Sequence, residues 1–385
     1  MGISERILKN NERAIYSLRA LYKDYGYSHF KVSKFEEYDL YAHNKSFLVS
    51  NNILTFTDTN GKLLALKPDV TLSIIKNISD KDECIHKLCY NETVYRTSAD
   101  SDGFREIMQT GLECIGDIDS YSECEVVMLA AKSLGTIGSE YILDISHMGL
   151  LEGFFDENGI DENLQKDIIK LVESKNIYAI RELLQSNGTD KTTEDALCFL
   201  TSLYCPADDA LVRIKPYVCG EKMEKAYSDL LNINEAMKHY GVSDKLYLDL
   251  TVVNDVNYYD GICFKGYING IPDSVLSGGR YDKLLARLGK KAGAIGFAVY
   301  LDRLERHGSD TDEYDVDTVL IYEKGTDIKK IAEAQRALMS EGVSVLVGRE
   351  PDKAQRYRRL LKITDGGIEV LENNDQHSAP QGQTW

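Results

Sequence analysis

The chain has 385 residues, 43% of them apolar and 28% charged, enough for two or three domains with a sizeable core. Its net charge of -17 excludes a broad phosphate-neutralising surface, so no nucleic-acid partner is expected. The opening Met1-Gly2-Ile3-Ser4-Glu5-Arg6 has no apolar core of a signal peptide, and no run of 18 apolar residues follows, so a cytoplasmic protein without a membrane partner is expected.

Residues 5 to 25 place Ile7, Leu8, Ile15, Leu18, Leu21 and Tyr22 at helical spacing, and Gly26 ends the run. Residues 47 to 66 predict strands joined at Asn60-Gly61, a pair suited to a two-residue hairpin turn because both tolerate positive φ. Two further strands are predicted over 87 to 96 and 105 to 115, around a polar loop, and a helix over 122 to 134. Residues 150 to 240 read as an almost wholly helical insertion, and strand character resumes from 245 to 267.

The acidic, turn-prone segment 307 to 316 predicts a linker. Beyond it, strand (318 to 322), helix (327 to 340), strand (343 to 348), helix (352 to 363) and strand (368 to 372) predict a small α/β unit over 317 to 372. Residues 373 to 385 are too polar to order themselves. The expected fold class is α+β, with a domain over 1 to 306 carrying the insertion.

The eight cysteines contain no Cys-x-x-Cys pair, and the seven histidines form no zinc-like cluster with them, so reduced thiols and no metal are expected. Neither a Gly-x-Gly-x-x-Gly loop nor a Walker loop is present, and no cofactor is expected. Gln109 and Glu113, four apart on a predicted strand, project from one face and can share a pocket. Asp69 and Thr71 offer a carboxylate and a hydroxyl after Pro68, in an extended segment or, on their own, as a helix cap or turn. Tyr258 and Tyr259 are expected to alternate across a strand, one facing the pocket and one the core. Gly278-Gly279-Arg280-Tyr281-Asp282 permits close backbone approach before an ordered element.

In this order the motifs resemble the catalytic domain of class II aminoacyl-tRNA synthetases, the histidine enzymes in particular, over about residues 5 to 306. Gly26-Tyr27 to Phe35-Glu36 resembles the motif that builds the dimer interface, with Ser33 in place of a proline. Pro68-Asp69-Val70-Thr71 resembles the family's Pro-Glu-Gly-Thr, Gln109 and Glu113 fit its Gln-x-x-x-Glu, and Tyr258, Tyr259 and Tyr281 fit its two histidine signatures. The resemblance implies that Asp69, Thr71 and Gln109 hold the α-amino group of histidine, that Glu113 and Tyr259 read its imidazole, and that Tyr281 completes the wall.

The ATP half departs from that pattern. Arg96 and Arg303 keep the family's arginines and imply a residual nucleotide or anion site, but Ser98 replaces the adenine-reading glutamate, Ile107 the stacking phenylalanine and Tyr300 a glycine. Asn254 falls on the catalytic arginine, and loss of one such preorganised group costs roughly 100- to 1000-fold in rate. With these losses, and with the Asn-Asp-x-Asn-Tyr-Tyr variant and Phe264-Lys265-Gly266-Tyr267, the chain resembles the regulatory subunits of ATP phosphoribosyltransferase. That family implies a noncatalytic homodimer within a hetero-oligomer, a short catalytic subunit as partner, and histidine as the feedback effector. An active histidyl-tRNA synthetase and a histidine sensor regulating another enzyme are the alternatives.

Overall fold

The computed structural model describes residues 8–45, 48, 52–78, 84–98, 101–252, 258–307, 314–352 and 354–374, arranged as two compact units, Met1–Gly308 and Ser309–Trp385. Asn254, the core of the segment 307 to 316, nearly all of the polar tail and the side chain of Ser98 lie outside the described residues.

In the first unit helix α1 (Asn10–Asp24) starts where the Glu12 carboxylate accepts from the backbone N–H of Lys9 at 3.0 Å, and stops at Gly26, whose φ of +84° suits a residue without Cβ. Strand β1 (Ser28–His29) precedes a three-stranded antiparallel sheet of β2 (Phe35–Glu37), β3 (Thr55–Thr57) and β4 (Leu63–Leu66), with helix α2 (Tyr38–Ala42) between β2 and β3. The β3–β4 connection is longer than the two-residue turn the sequence suggests. Asp58 Oδ1 accepts from the backbone N–H of Asn60 and of Lys62, both at 2.8 Å, which draws residues 58 to 62 into one loop with Gly61 at φ +82°.

Helix α3 (Thr71–Asn77) leads to the long hairpin of β5 (His86–Ser98) and β6 (Ser101–Gly116), then to helix α4 (Ser120–Ile137), capped by Asp119, and strand β7 (Tyr141–His147). Next come α5 (Met148–Glu157), α6 (Glu162–Glu173), α7 (Ile177–Ser186), α8 (Lys191–Ser202), the short strand β8 (Tyr204–Pro206), α9 (Ala207–Ile214) and α10 (Gly220–Tyr240). The unit closes with β9 (Leu246–Asp249), β10 (Ile262–Ile268), β11 (Leu276–Arg280), α11 (Asp282–Arg287), β12 (Gly293–Tyr300) and α12 (Leu301–His307).

Among the described residues nine strands form one sheet in the order β1-β5-β6-β12-β11-β10-β7-β9-β8, mostly antiparallel. This is the α+β architecture the sequence implies. Ile168, Val172, Ile180, Leu184 and Leu197 of the helical stretch join the same apolar cluster as Leu129, Leu143 and Phe264, so these helices share the core of the sheet.

In the second unit β13 (Val316–Ile321), helix α13 (Ile328–Ser340), β14 (Val345–Gly348), β15 (Tyr357–Thr364) and β16 (Gly367–Asn373) build a sheet of order β14-β13-β15-β16. Residues 357 to 364 are a strand where the sequence suggests a helix. The adjacent Leu360 and Leu361 fill apolar clusters on opposite faces of the sheet, as successive residues of a strand do.

Candidate functional site

A cavity of about 820 Å³ opens on one face of the central sheet. Strand register explains its floor. Glu113 of β6 pairs with Gly296 of β12, Gly296 with Gly279 of β11, and Gly279 with Cys263 of β10. Residues paired across neighbouring strands share a face, so Glu113 stands at one end of a row whose next two members have no side chain. That bareness is required. A Cβ at Gly296 would overlap the Glu113 carboxylate, and one at Gly279 would lie 2.6 Å from both the Tyr259 ring and the carbonyl of Ile262.

Glu113 is buried and accepts hydrogen bonds from Thr71 Oγ1 at 2.7 Å and from the Tyr281 hydroxyl. Burial pushes its carboxyl up to about 8, against the smaller opposing pull of those two hydroxyls. Both donors are neutral, so the carboxylate's charge is left uncompensated. A ligand N–H or cation is the group that would complete it, in a bond of roughly 1.5 to 3 kcal/mol.

Asp69 is also buried, and burial raises its carboxyl while the Arg96 guanidinium, 3.9 Å away, lowers it. Its Oδ1 accepts from the N–H of Leu72 at 2.8 Å and so caps α3, leaving Oδ2 on the Arg96 side. Thr71 therefore opens a helix, and the segment after Pro68 is not extended. The turn is fixed from below: Lys67 is fully buried against Glu92, and its carbonyl accepts from the N–H of Tyr95 at 3.0 Å. Gln109, four residues from Glu113 along β6, is buried and lines the same cavity.

Tyr258 and Tyr259 both line the cavity, contrary to the alternation expected of a strand. They precede β10 in a turn, where the two-residue period does not apply, and their rings meet edge to face at 4.8 Å. Tyr258 also lies 5.7 Å from the ring of Tyr281. Thus Asp69, Thr71, Gln109, Glu113, Tyr258, Tyr259 and Tyr281 come together: acceptors at the base, aromatic walls around them. Sequence reasoning missed Tyr90, which the hairpin register places opposite Gly111, and missed the contribution of α6, from which Lys166, Ile169, Lys170 and Glu173 reach the cavity.

Both arginines expected on the nucleotide side reach the cavity, and both have internal partners. Arg96 Nε donates to the Pro68 carbonyl at 2.8 Å and braces the Asp69 turn. Arg303 donates to the Ser274 carbonyl and hydroxyl and lies 4.5 Å above the ring of Tyr300, whose hydroxyl is 2.6 Å from Ser277 Oγ. Tyr300 thus fills space beneath Arg303, a stacking contact of roughly 0.5 to 2 kcal/mol that holds the guanidinium against the wall.

The central antiparallel sheet and this pocket define a class II, histidyl-tRNA synthetase-like protein, and the family model for histidyl-tRNA synthetase matches residues 3–304. A Clostridium kluyveri protein named ATP phosphoribosyltransferase regulatory subunit is 30% identical over 337 residues, 85% of this chain and 86% of its own. One of the same name from Ruminiclostridium cellulolyticum is 26% identical over 371 residues, 93% of this chain and 88% of its own. The chain belongs to the family of ATP phosphoribosyltransferase regulatory subunits, within the histidyl-tRNA synthetase-like fold. Among solved structures, a regulatory subunit/histidyl-tRNA synthetase from Bacillus halodurans shares the fold with a TM-score of 0.74 at 24% identity, covering 90% of this chain and 91% of that one. A histidyl-tRNA synthetase from Nostoc does so with 0.72 at 16% identity, covering 94% and 91%.

Proposed function

We propose that this chain is the noncatalytic regulatory subunit of ATP phosphoribosyltransferase in histidine biosynthesis, required by a short catalytic subunit and conveying feedback inhibition by histidine. The name carried by its relatives supports the partnership. The observation that carries the effector is the buried Glu113, held by Thr71 and Tyr281 beside Asp69 and three tyrosines. Histidine has an ammonium group and a ring with two nitrogens, and both ends need acceptors or carboxylates. In this reading Glu113 and Tyr259 take the imidazole while Asp69, Thr71 and Gln109 take the α-amino group.

The nucleotide side supports a noncatalytic role. Asn254 brings no charge to the position of the catalytic arginine, Ile107 does not supply a stacking ring, and Arg303 rests on Tyr300. Histidine bound in the pocket favours an inhibited arrangement of the complex, which requires affinities for the two states that differ by about 1 to 3 kcal/mol. Calorimetric titration of histidine into wild type and Glu113→Gln tests the site. The variant is expected to bind at least tenfold more weakly, and unchanged affinity would remove the pocket from the account.

A further inference from the structure

The turn that carries Asp69 and Thr71 is also held from the side away from the cavity. Neither Lys67 nor Glu92 lines the cavity, yet both fix that turn. The fully buried Lys67 ammonium pairs with one carboxylate oxygen of Glu92, whose other oxygen accepts from the backbone N–H of Val32 at 2.9 Å. The backbone of Lys67 makes the same connection: its N–H donates to the Lys34 carbonyl at 3.1 Å.

Two further contacts run the same way from α3, the helix that Thr71 opens. Lys76 pairs with Glu36 of β2 at 2.7 Å, and Ser73 Oγ lies 3.2 Å from the buried Tyr41 hydroxyl of α2. Strand β2 is itself paired with β4, Phe35 opposite Leu66, directly before Lys67. The segment reached by these bonds is a surface in the single chain: Lys31, Ser33, Lys34 and Phe35 are exposed, and Phe35 meets the exposed Phe56 edge to face at 5.6 Å. Lys76 is itself exposed and can follow small movements of Glu36. Lys67 cannot, because an ammonium taken out of water is tolerated only while its carboxylate partner stays in place.

We propose that Lys67 is a positioning residue through which the pocket and the surface segment 31 to 37 change together. Ligand drawn against Asp69 and Thr71 sets the turn, and the Lys67–Glu92 pair carries that setting to Val32 and β2. An occupied pocket then differs from an empty one at the surface, where a partner protein can read it without touching the ligand. The inference rests on the reading that histidine fills this pocket, and names the route by which its binding leaves it.

Hydrogen exchange of the full chain tests it, followed on peptides carrying residues 31–37 and 69–76 with and without saturating histidine, in wild type, Lys67→Met/Glu92→Gln and Lys67→Arg. The double variant removes both charges, so no unpaired ion is left buried. In wild type, histidine is expected to slow exchange about threefold or more in both segments. In the double variant the protection of 69–76 is expected to persist, which reports a folded and occupied pocket, while that of 31–37 is lost. Lys67→Arg keeps the cation and is expected to keep protection in both. Wild type protected at 69–76 but not at 31–37, or a double variant protected in both, overturns the proposal and leaves the histidine reading intact. A double variant that loses protection in both segments while Lys67→Arg keeps it shows that Lys67 serves the pocket alone, and also overturns the proposal. No protection in either segment of wild type overturns the histidine reading, and this inference with it.

Discussion

At the scale of single residues, Glu113 has a physical signature that can be measured without any ligand. Its carboxyl titrates at about 8 in the folded chain against an ordinary 4.5, so the folded state holds a proton that the unfolded state gives up earlier. The resulting stability is complete below pH 4.5 and is lost as pH rises through 8. Glu113→Gln removes this dependence. In thermal melts the variant is expected to exceed wild type by about 2 °C or more at pH 9, since ~1 kcal/mol moves Tm by roughly 2 to 4 °C, and the gap should close at pH 5. A gap that is constant with pH would mean that the carboxyl is not perturbed. The pairing of Gln109 with Glu113 is legible in the sequence because a strand has a fixed period of two, and the structure buries both. Lys67 is not legible in that way, because its place beneath the pocket depends on pairing with Glu92 of β5, which no local pattern states.

At the scale of elements, the pocket depends on glycines in the middle of β11 and β12, where a strand would ordinarily prefer larger residues. Gly279→Ala is expected to push the Tyr259 ring off its place and to weaken histidine binding about tenfold. Overpacking of this kind costs roughly 1 to 3 kcal/mol, so a modest loss of Tm should accompany it. Titration and melting of the same sample separate the two effects, and unchanged affinity would show that the ring is not part of the site. The elements themselves were readable where pattern and packing agree, as in α1, α4 and the β5–β6 hairpin. The structure differs from the sequence pattern where tertiary pairing overrides local preference. Tyr357–Thr364 carries the Arg, Leu and Lys of a helix former, but pairs on one side with Val316–Ile321 and on the other with Gly367–Asn373. Tyr258 and Tyr259 depart from expectation for the opposite reason: they precede β10 in a turn, where the two-residue period of a strand does not hold.

For the whole molecule, the end of the pocket proposed for histidine has its acceptors and aromatic walls in place. The nucleotide end has a tyrosine under Arg303, and an asparagine stands at the catalytic arginine's position in the sequence. On the proposed reading such a pocket binds histidine without activating it, and its effect passes through a partner. The measurement that bears most directly on this is reconstitution of the chain with a short ATP phosphoribosyltransferase catalytic subunit, with the mass of the complex determined on the same sample. Turnover of ATP and phosphoribosyl pyrophosphate is followed with and without histidine, beside an assay of histidine-dependent exchange of pyrophosphate into ATP. The account predicts a hetero-oligomer containing a dimer of this chain, turnover that requires the chain, inhibition by histidine, and no exchange. Exchange activity, or turnover indifferent to both the chain and histidine, would contradict it.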